Sequence, residues 1–290
     1  MDLFYWKSSE GNFGDDINAW LWCELLPGWR DCAPEVSLFG VGTLLNKKNL
    51  ERFRGKRALI LGTGVGYGQC AGLELDKSWD FRALRGRRSA EALGLPSEIG
   101  IADPAIALSD LACFKGLTCC GEVVFVPHIG SVQMLDWAHA CAEAGVRFVD
   151  PRGEAKAVVR AIASAKLVIA ESMHAAIIAD SFRVPWVAVS VGADFNRPKW
   201  NDFLDAIDHR GEIGGLTGAK RIFPLRVGPI STRKLSDRIE LGRLKAQAPQ
   251  ALARLAALDG FLSQDGVVDG LKARYYETLD CVRRDYGISA

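Results

Sequence analysis

Lys166-Leu167-Val168-Ile169-Ala170 is followed by a polar turn, Glu171-Ser172-Met173, and then by His174-Ala175-Ala176-Ile177-Ile178-Ala179-Asp180-Ser181-Phe182. An apolar run without polar alternation describes a strand buried on both faces, and the nine residues after the turn form a short, apolar helix. Pro185 to Ser190 is a further apolar run. A strand reached through a helix lies parallel to the one before it, with a right-handed crossover, so this stretch predicts an α/β fold.

The same grammar extends toward the amino terminus. Glu122 to Val126 and Val146 to Val149 read as strands, and Ser131 to Ala144 and Glu154 to Ser164 as helices. The first half repeats the pattern less cleanly, with strands expected at Leu3 to Trp6, Val36 to Phe39, Ala58 to Leu61 and Ile99 to Ala102, and helices at Asp15 to Leu26 and Arg87 to Leu93. This is a second doubly wound unit. The stretch Cys113 to Gly121 is the expected connection, giving units over residues 1–118 and 119–210 and a polar helical extension over 211–290. Within that extension, helices are expected at Thr232 to Ala246, Ala251 to Gln264 and Val267 to Tyr286.

Composition narrows the function. The chain has 290 residues, 49% hydrophobic and 24% charged, which is globular usage and excludes a disordered, collagen-like or coiled-coil protein. Thirty-six Lys and Arg against 35 Asp and Glu leave a net charge of +1, too little for bulk binding to a phosphate backbone, so no nucleic-acid partner is expected. The eight cysteines form no CxxC pair and are read as reduced, buried thiols, with no metal site expected. Asp2 and Lys7 bracket only four apolar residues, so Met1 to Gly11 does not read as a signal peptide, and no 18-residue apolar run occurs. A cytoplasmic protein is expected. Residues 217–249 carry eight Lys or Arg and only Asp237 and Glu240 as acids, a basic stretch suited to peripheral contact with an anionic membrane.

Ligands of open parallel sheets bind beyond the carboxyl ends of strands. Four such ends are polar: Gly11-Asn12-Phe13-Gly14-Asp15-Asp16-Ile17-Asn18, Gly62-Thr63-Gly64-Val65-Gly66-Tyr67-Gly68, Pro127-His128, and Glu171-Ser172-Met173-His174. The glycine run is a turn closing a strand or a backbone cradle for an anion; its GxGxG spacing, without a helix behind it, is a poor match to a dinucleotide fingerprint. His174 opens a helix after a buried strand, where unpaired amides favour an anion, and is either a core histidine or a site residue. Ser172 is the candidate cap of that helix. His128 has the same placement in an earlier unit. His139 and His209 read as surface or packing residues, and Asp15 and Asp16 fit the start of a helix.

The ordered set Gly11-Asn12-Phe13-Gly14-Asp15-Asp16-Ile17-Asn18, Leu84-Arg85-Gly86 with Ser89-Ala90-Glu91-Ala92-Leu93-Gly94-Leu95, Asp103-Pro104-Ala105, Val126-Pro127-His128, Asp150-Pro151-Arg152, and Ser172-Met173-His174 with Val184-Pro185 resembles the polysaccharide pyruvyltransferases. The likeness is nearest to the succinoglycan-type, ketal-forming members, with which Trp6, Trp20, Leu21 and Lys199-Trp200 also agree, and it covers about residues 1 to 205. It implies two facing Rossmann-like domains arranged as in GT-B glycosyltransferases, phosphoenolpyruvate as donor, no cofactor or metal, and a glycan or lipid-linked oligosaccharide as acceptor. Many members carry a basic residue two positions before the motif histidine and a glycine after it; here Ser172 and Ala175 stand there.

Such chemistry needs a proton donor, a base for hydroxyls and fixed cations. His174 is the expected acid, with His128 as the other catalytic candidate. Arg85 is the family-matched cation; Arg152, Arg197 and Lys199 are secondary ones. Asn12, Asp15, Asp16, Gly64, Ser172 and Met173 complete the candidate substrate-binding set. A nucleotide-sugar glycosyltransferase and a non-catalytic glycan-binding protein are the alternatives.

Overall fold

A computed structural model describes residues 1–66, 75–191, 195–209, 213–215 and 235–288. Its elements are β1 (Asp2–Phe4), α1 (Phe13–Asp16), α2 (Asn18–Leu25), β2 (Val36–Phe39), α3 (Lys47–Arg52), β3 (Arg57–Leu61), β4 (Trp79–Ala83) and α4 (Arg87–Ala92). They continue as β5 (Val123–Val126), α5 (Trp137–Glu143), β6 (Arg147–Phe148), α6 (Ala155–Ala163), β7 (Leu167–Ala170), α7 (Met173–Ser181), β8 (Trp186–Ser190), α8 (Arg197–Ala206), β9 (Gly214–Gly215), α9 (Leu235–Ala256) and α10 (Val267–Tyr286).

The strands form two wholly parallel sheets, β1-β2-β3-β4 and β6-β5-β7-β8-β9, as the α/β reading expects. They differ in order. The first runs strictly in chain sequence. The second begins at β5, places β6 on one side and then continues through β7 on the other, so β5 and β7 flank a topological switch point where a crevice opens beyond the strand ends. Val126 at the end of β5 is in register with Ala170 at the end of β7, which brings their following loops side by side.

One apolar cluster runs through both halves, joining Phe13, Leu38, Leu59 and Leu61 of the first to Val124, Val168, Ile177 and Phe203 of the second. The carboxyl-terminal helices divide between the sheets. Leu244, Ala248, Ala251 and Leu252 of α9 are buried with Phe125 and Ile169, whereas Tyr275, Leu279 and Val282 of α10 join the central cluster. The Tyr275 hydroxyl donates to the Leu61 carbonyl at 3.0 Å, and the Lys272 ammonium donates to Ser109 Oγ at 2.6 Å.

Several expectations are corrected. Ile99 to Ala102 forms a tight turn and a single bridge, Leu84 to Gly100, instead of a strand, and the fourth strand is β4. The expected helix Ser131 to Ala144 is a 3-10 turn, Ile129–Met134, and then α5, because Asp136 caps a new start by accepting the His139 amide at 3.1 Å. The break expected before Ala251 is absent, since α9 continues through Pro249. Among the described cysteines only Cys141 is buried; Cys23 on α2 and Cys119 and Cys120 in the turn before β5 are exposed, so they are not core thiols. No three His, Cys, Asp or Glu side chains among the described residues are grouped to hold a metal, and no described helix is long and apolar enough to cross a membrane. Tyr67, Gly68 and most of the basic stretch, including Lys220, Arg221, Arg226, Arg233 and Lys234, lie outside the described residues.

Candidate active site

The loops beyond β5 and β7 are fastened by one carboxylate. Glu171 is 1% exposed and accepts the His128 amide at 2.9 Å, the Ser131 hydroxyl at 3.0 Å and the Val191 amide at 2.8 Å. A buried charge is tolerable when several donors face it, and here they come from the loop after β5 and from the end of β8. His128 is held in one orientation because its Nδ1 accepts the Gly130 amide at 3.2 Å. Burial, and then the charges of Lys199 and His174, push its pKa down to about 4. It is therefore neutral at physiological pH, with its proton on Nε2 as a hydrogen-bond donor.

His174 is the second residue of α7 and is 4% exposed. Its ring meets Phe13 edge to face at 6.5 Å between centroids, and its Nδ1 edge lies against Gly14, where a Cβ would stand 2.0 Å from that nitrogen. Its Nε2 faces Asp103 Oδ2 at 3.5 Å, and neither atom has a hydrogen-bond partner among the described residues.

The first half reaches this point through the loop after β1. Gly11 adopts φ +88°, a left-handed conformation, and packs so closely on the Arg152 carbonyl that a Cβ would lie 2.5 Å from its oxygen. The Phe13 amide donates to the Pro151 carbonyl at 2.9 Å, docking the loop on the second half. The Asn12 amide donates to Asp16 Oδ2 at 3.0 Å and its Nδ2 to Asp15 Oδ2 at 2.5 Å. Burial raises the pKa of Asp15, against the opposing pull of His174 and Lys199.

Lys199 comes from α8 and is half-buried. Burial and the repulsion of Arg85 bring its ammonium down to about 8, while Asp15 and Asp103 act the other way. It makes no ion pair or side-chain hydrogen bond among the described residues. The Asn196 side chain at the cap of α8 donates to the Gly66 carbonyl, which ties this helix to the glycine run. Asn12, Asp15, His128, His174 and Lys199 are thus gathered at the switch point.

The other candidates are placed differently. Arg85 is fully buried and committed: Nε and Nη2 lie 3.2 and 3.1 Å from Asp202 Oδ2, Nη1 donates to Thr43 Oγ1 at 2.9 Å, and Nη2 donates to the Val65 carbonyl. Gly64 is the seat of that guanidinium, since a Cβ there would stand 2.4 Å from its central carbon. Arg152 sits at the rim, paired with Asp150 at 2.6 Å and facing Glu10 at 3.6 Å. Arg197, exposed at the start of α8, donates to the Ile213 carbonyl at 3.3 Å. Ser172 occupies the cap position of α7 but makes no capping hydrogen bond through its side chain, and Met173 is buried in the central cluster. Asp16 is occupied by the Asn12 amide.

Residue-level reading of the sequence did not single out Asp103, Glu171 or Asp202. The signal for Asp103 was present, because a carboxylate inside Ile101-Ala102-Asp103-Pro104-Ala105 is out of character for an apolar stretch.

A family model for polysaccharide pyruvyl transferase matches residues 36–192. The chain is also similar to the succinoglycan biosynthesis protein ExoV of Rhizobium meliloti (strain 1021), with 39% identity over 317 aligned positions that cover 99% of this chain and all of that protein.

Proposed function

Since this chain belongs to the polysaccharide pyruvyl transferase family, we propose that it moves a pyruvyl group from phosphoenolpyruvate onto two hydroxyls of one sugar, closing a cyclic ketal. Membership makes it a pyruvyltransferase of polysaccharide biosynthesis. The acceptor in this reading is an exopolysaccharide or its lipid-linked precursor, bound between two facing Rossmann-like units arranged as in GT-B enzymes.

The bonds balance without a redox partner. A proton added to the terminal carbon of the enol leaves an oxocarbenium-like centre, and the first hydroxyl attacks it and loses its proton. The carbon–oxygen bond to phosphate then breaks, and the second hydroxyl closes the ring. Of the two hydroxyl protons, one replaces the proton delivered to carbon and the other leaves with phosphate.

The observation that carries the reading is the convergence of His174, Asp15, the Lys199 ammonium and neutral His128 beyond β5 and β7. In this scheme His174 gives the proton, and Asp15, steadied by Asn12, accepts one from a hydroxyl. Lys199 and the Nε2 proton of His128 hold the donor's anionic groups. Arg152 and Arg197 are outer cations at the rim, and Arg85 serves by shaping the wall. Basic residues of 217–249 on anionic lipid would bring the enzyme to a lipid-linked acceptor, and equal partitioning onto neutral and anionic vesicles at low salt would count against this part.

The test is phosphate release from phosphoenolpyruvate with a panel of synthetic and lipid-linked glycosides, alongside sugar nucleotides as competing donors. Phosphoenolpyruvate alone should support turnover, and His174→Gln should lower kcat by about 10²- to 10⁴-fold. Turnover of a sugar nucleotide in its place would overturn the donor. Loss of activity in His128→Gln with His174→Gln intact would exchange the two roles.

A further inference from the structure

One buried carboxylate beside His174 has no part in the reaction as proposed. Asp103 is 3% exposed, and its Oδ1 accepts the Ala105 amide at 3.0 Å, capping the 3-10 turn Pro104–Asp110. Capping requires one neutral acceptor, which Ser or Asn supplies as well as Asp. The second oxygen, Oδ2, has no hydrogen-bond partner among the described residues, an unusual condition for a buried polar atom. The nearest complementary atom is His174 Nε2 at 3.5 Å, equally unpartnered. A shift of about half an ångström would close this gap to hydrogen-bond distance.

The surrounding groups are committed elsewhere or come from other elements. The Tyr275 hydroxyl, from α10, donates to the Leu61 carbonyl. Arg85 is taken by Asp202. Asp15 approaches from the loop after β1, on the side of Gly14, and His128 and Lys199 act on the site from the end of β5 and from α8. Asp103 therefore meets the Nε2 edge of the imidazole and Gly14 its Nδ1 edge, with Asp103 also within electrostatic reach of Asp15 and Lys199.

We propose that Asp103 is the positioning residue of His174. It accepts a hydrogen bond from Nε2–H, so that the Nδ1 edge beside Gly14 is the one presented to the donor, and it balances the imidazolium until the Nδ1 proton is given up. In that step the Nδ1–H bond breaks and a carbon–hydrogen bond forms with the electron pair of the enol. The imidazole is left neutral with its proton on Nε2, and Asp103 remains a carboxylate throughout. The assignment rests on the reading of His174 as the proton donor.

Asp103→Asn separates positioning from capping. Its Oδ1 would still take the Ala105 amide, which turns the Nδ2 hydrogens toward His174 Nε2 and demands a lone pair there. The neutral imidazole would then carry its proton on Nδ1, the opposite tautomer. In enzyme labelled with ¹⁵N-histidine, with the His174 signal assigned by its loss in His174→Gln, the expected result at alkaline pH is the Nε2–H form in the native protein and the Nδ1–H form in Asp103→Asn. With phosphoenolpyruvate, kcat should fall by about 10²- to 10⁴-fold with little change in KM. Asp103→Ser keeps the cap but offers Nε2 no carboxylate, so it should also lose kcat, and it serves if the Asn variant does not fold. Unchanged tautomer and near-native kcat in a folded variant would make Asp103 a cap alone and overturn the assignment. A tautomer switch in a protein that never releases phosphate from phosphoenolpyruvate would leave the positioning intact and remove the donor.

Discussion

A methyl group at position 14 would occupy space held by the His174 ring, since it would stand 2.0 Å from Nδ1. Gly14→Ala should therefore push the imidazole out of line and lower kcat by about 10²-fold, as ångström-scale misplacement does, while far-ultraviolet circular dichroism remains native. Lys199 yields a different signature. Its pKa of about 8 means that the ammonium is charged below that pH and neutral above it, so kcat/KM for phosphoenolpyruvate should fall as pH rises through about 8. Lys199→Met should lose this alkaline limb and raise KM. The place of His174, just beyond a buried strand, was legible from the sequence because an apolar run ending in a polar turn marks that edge. The fate of Arg85 was not: its partner Asp202 is 117 positions away, and only tertiary structure joins them.

That ion pair is one of the contacts that fix α8 to the first half, with Asn196 on the Gly66 carbonyl and Arg88 on Asp205. Asp202 also accepts the Ser89 hydroxyl at 2.5 Å and amide at 3.2 Å, at the start of α4. Asp202→Ala would leave the Arg85 guanidinium buried without its counterion, and removal of one partner of such a pair costs about 3–5 kcal/mol. Thermal melts should show a loss of that order, and Lys199, carried on the same helix, should bind the donor more weakly. At this scale most of the second sheet was easily read, since β5, β7 and β8 are apolar runs, while the edge strand β9, Gly214–Gly215, carries no such signal. β4 was missed because Trp79-Asp80-Phe81-Arg82-Ala83 alternates, as an edge strand does, and Asp80 and Arg82 pair with each other at 2.6 Å. α9 was misread at Pro249, where buried Ala248, Ala251 and Leu252 hold the helix together across the lost hydrogen bond.

Over the whole molecule, the two sheets share a single apolar cluster, which the sequence does not disclose because each half reads as a complete α/β unit in itself. Calorimetry should accordingly record one cooperative unfolding transition, and two resolved transitions would show that the halves melt independently. The same cluster sets a timetable. β1 to β4 are made before α10, whose Tyr275, Leu279 and Val282 complete their core. A nascent chain thus carries an unfinished apolar surface until α10 has been translated, and its need for chaperone protection should be greatest just before that helix emerges.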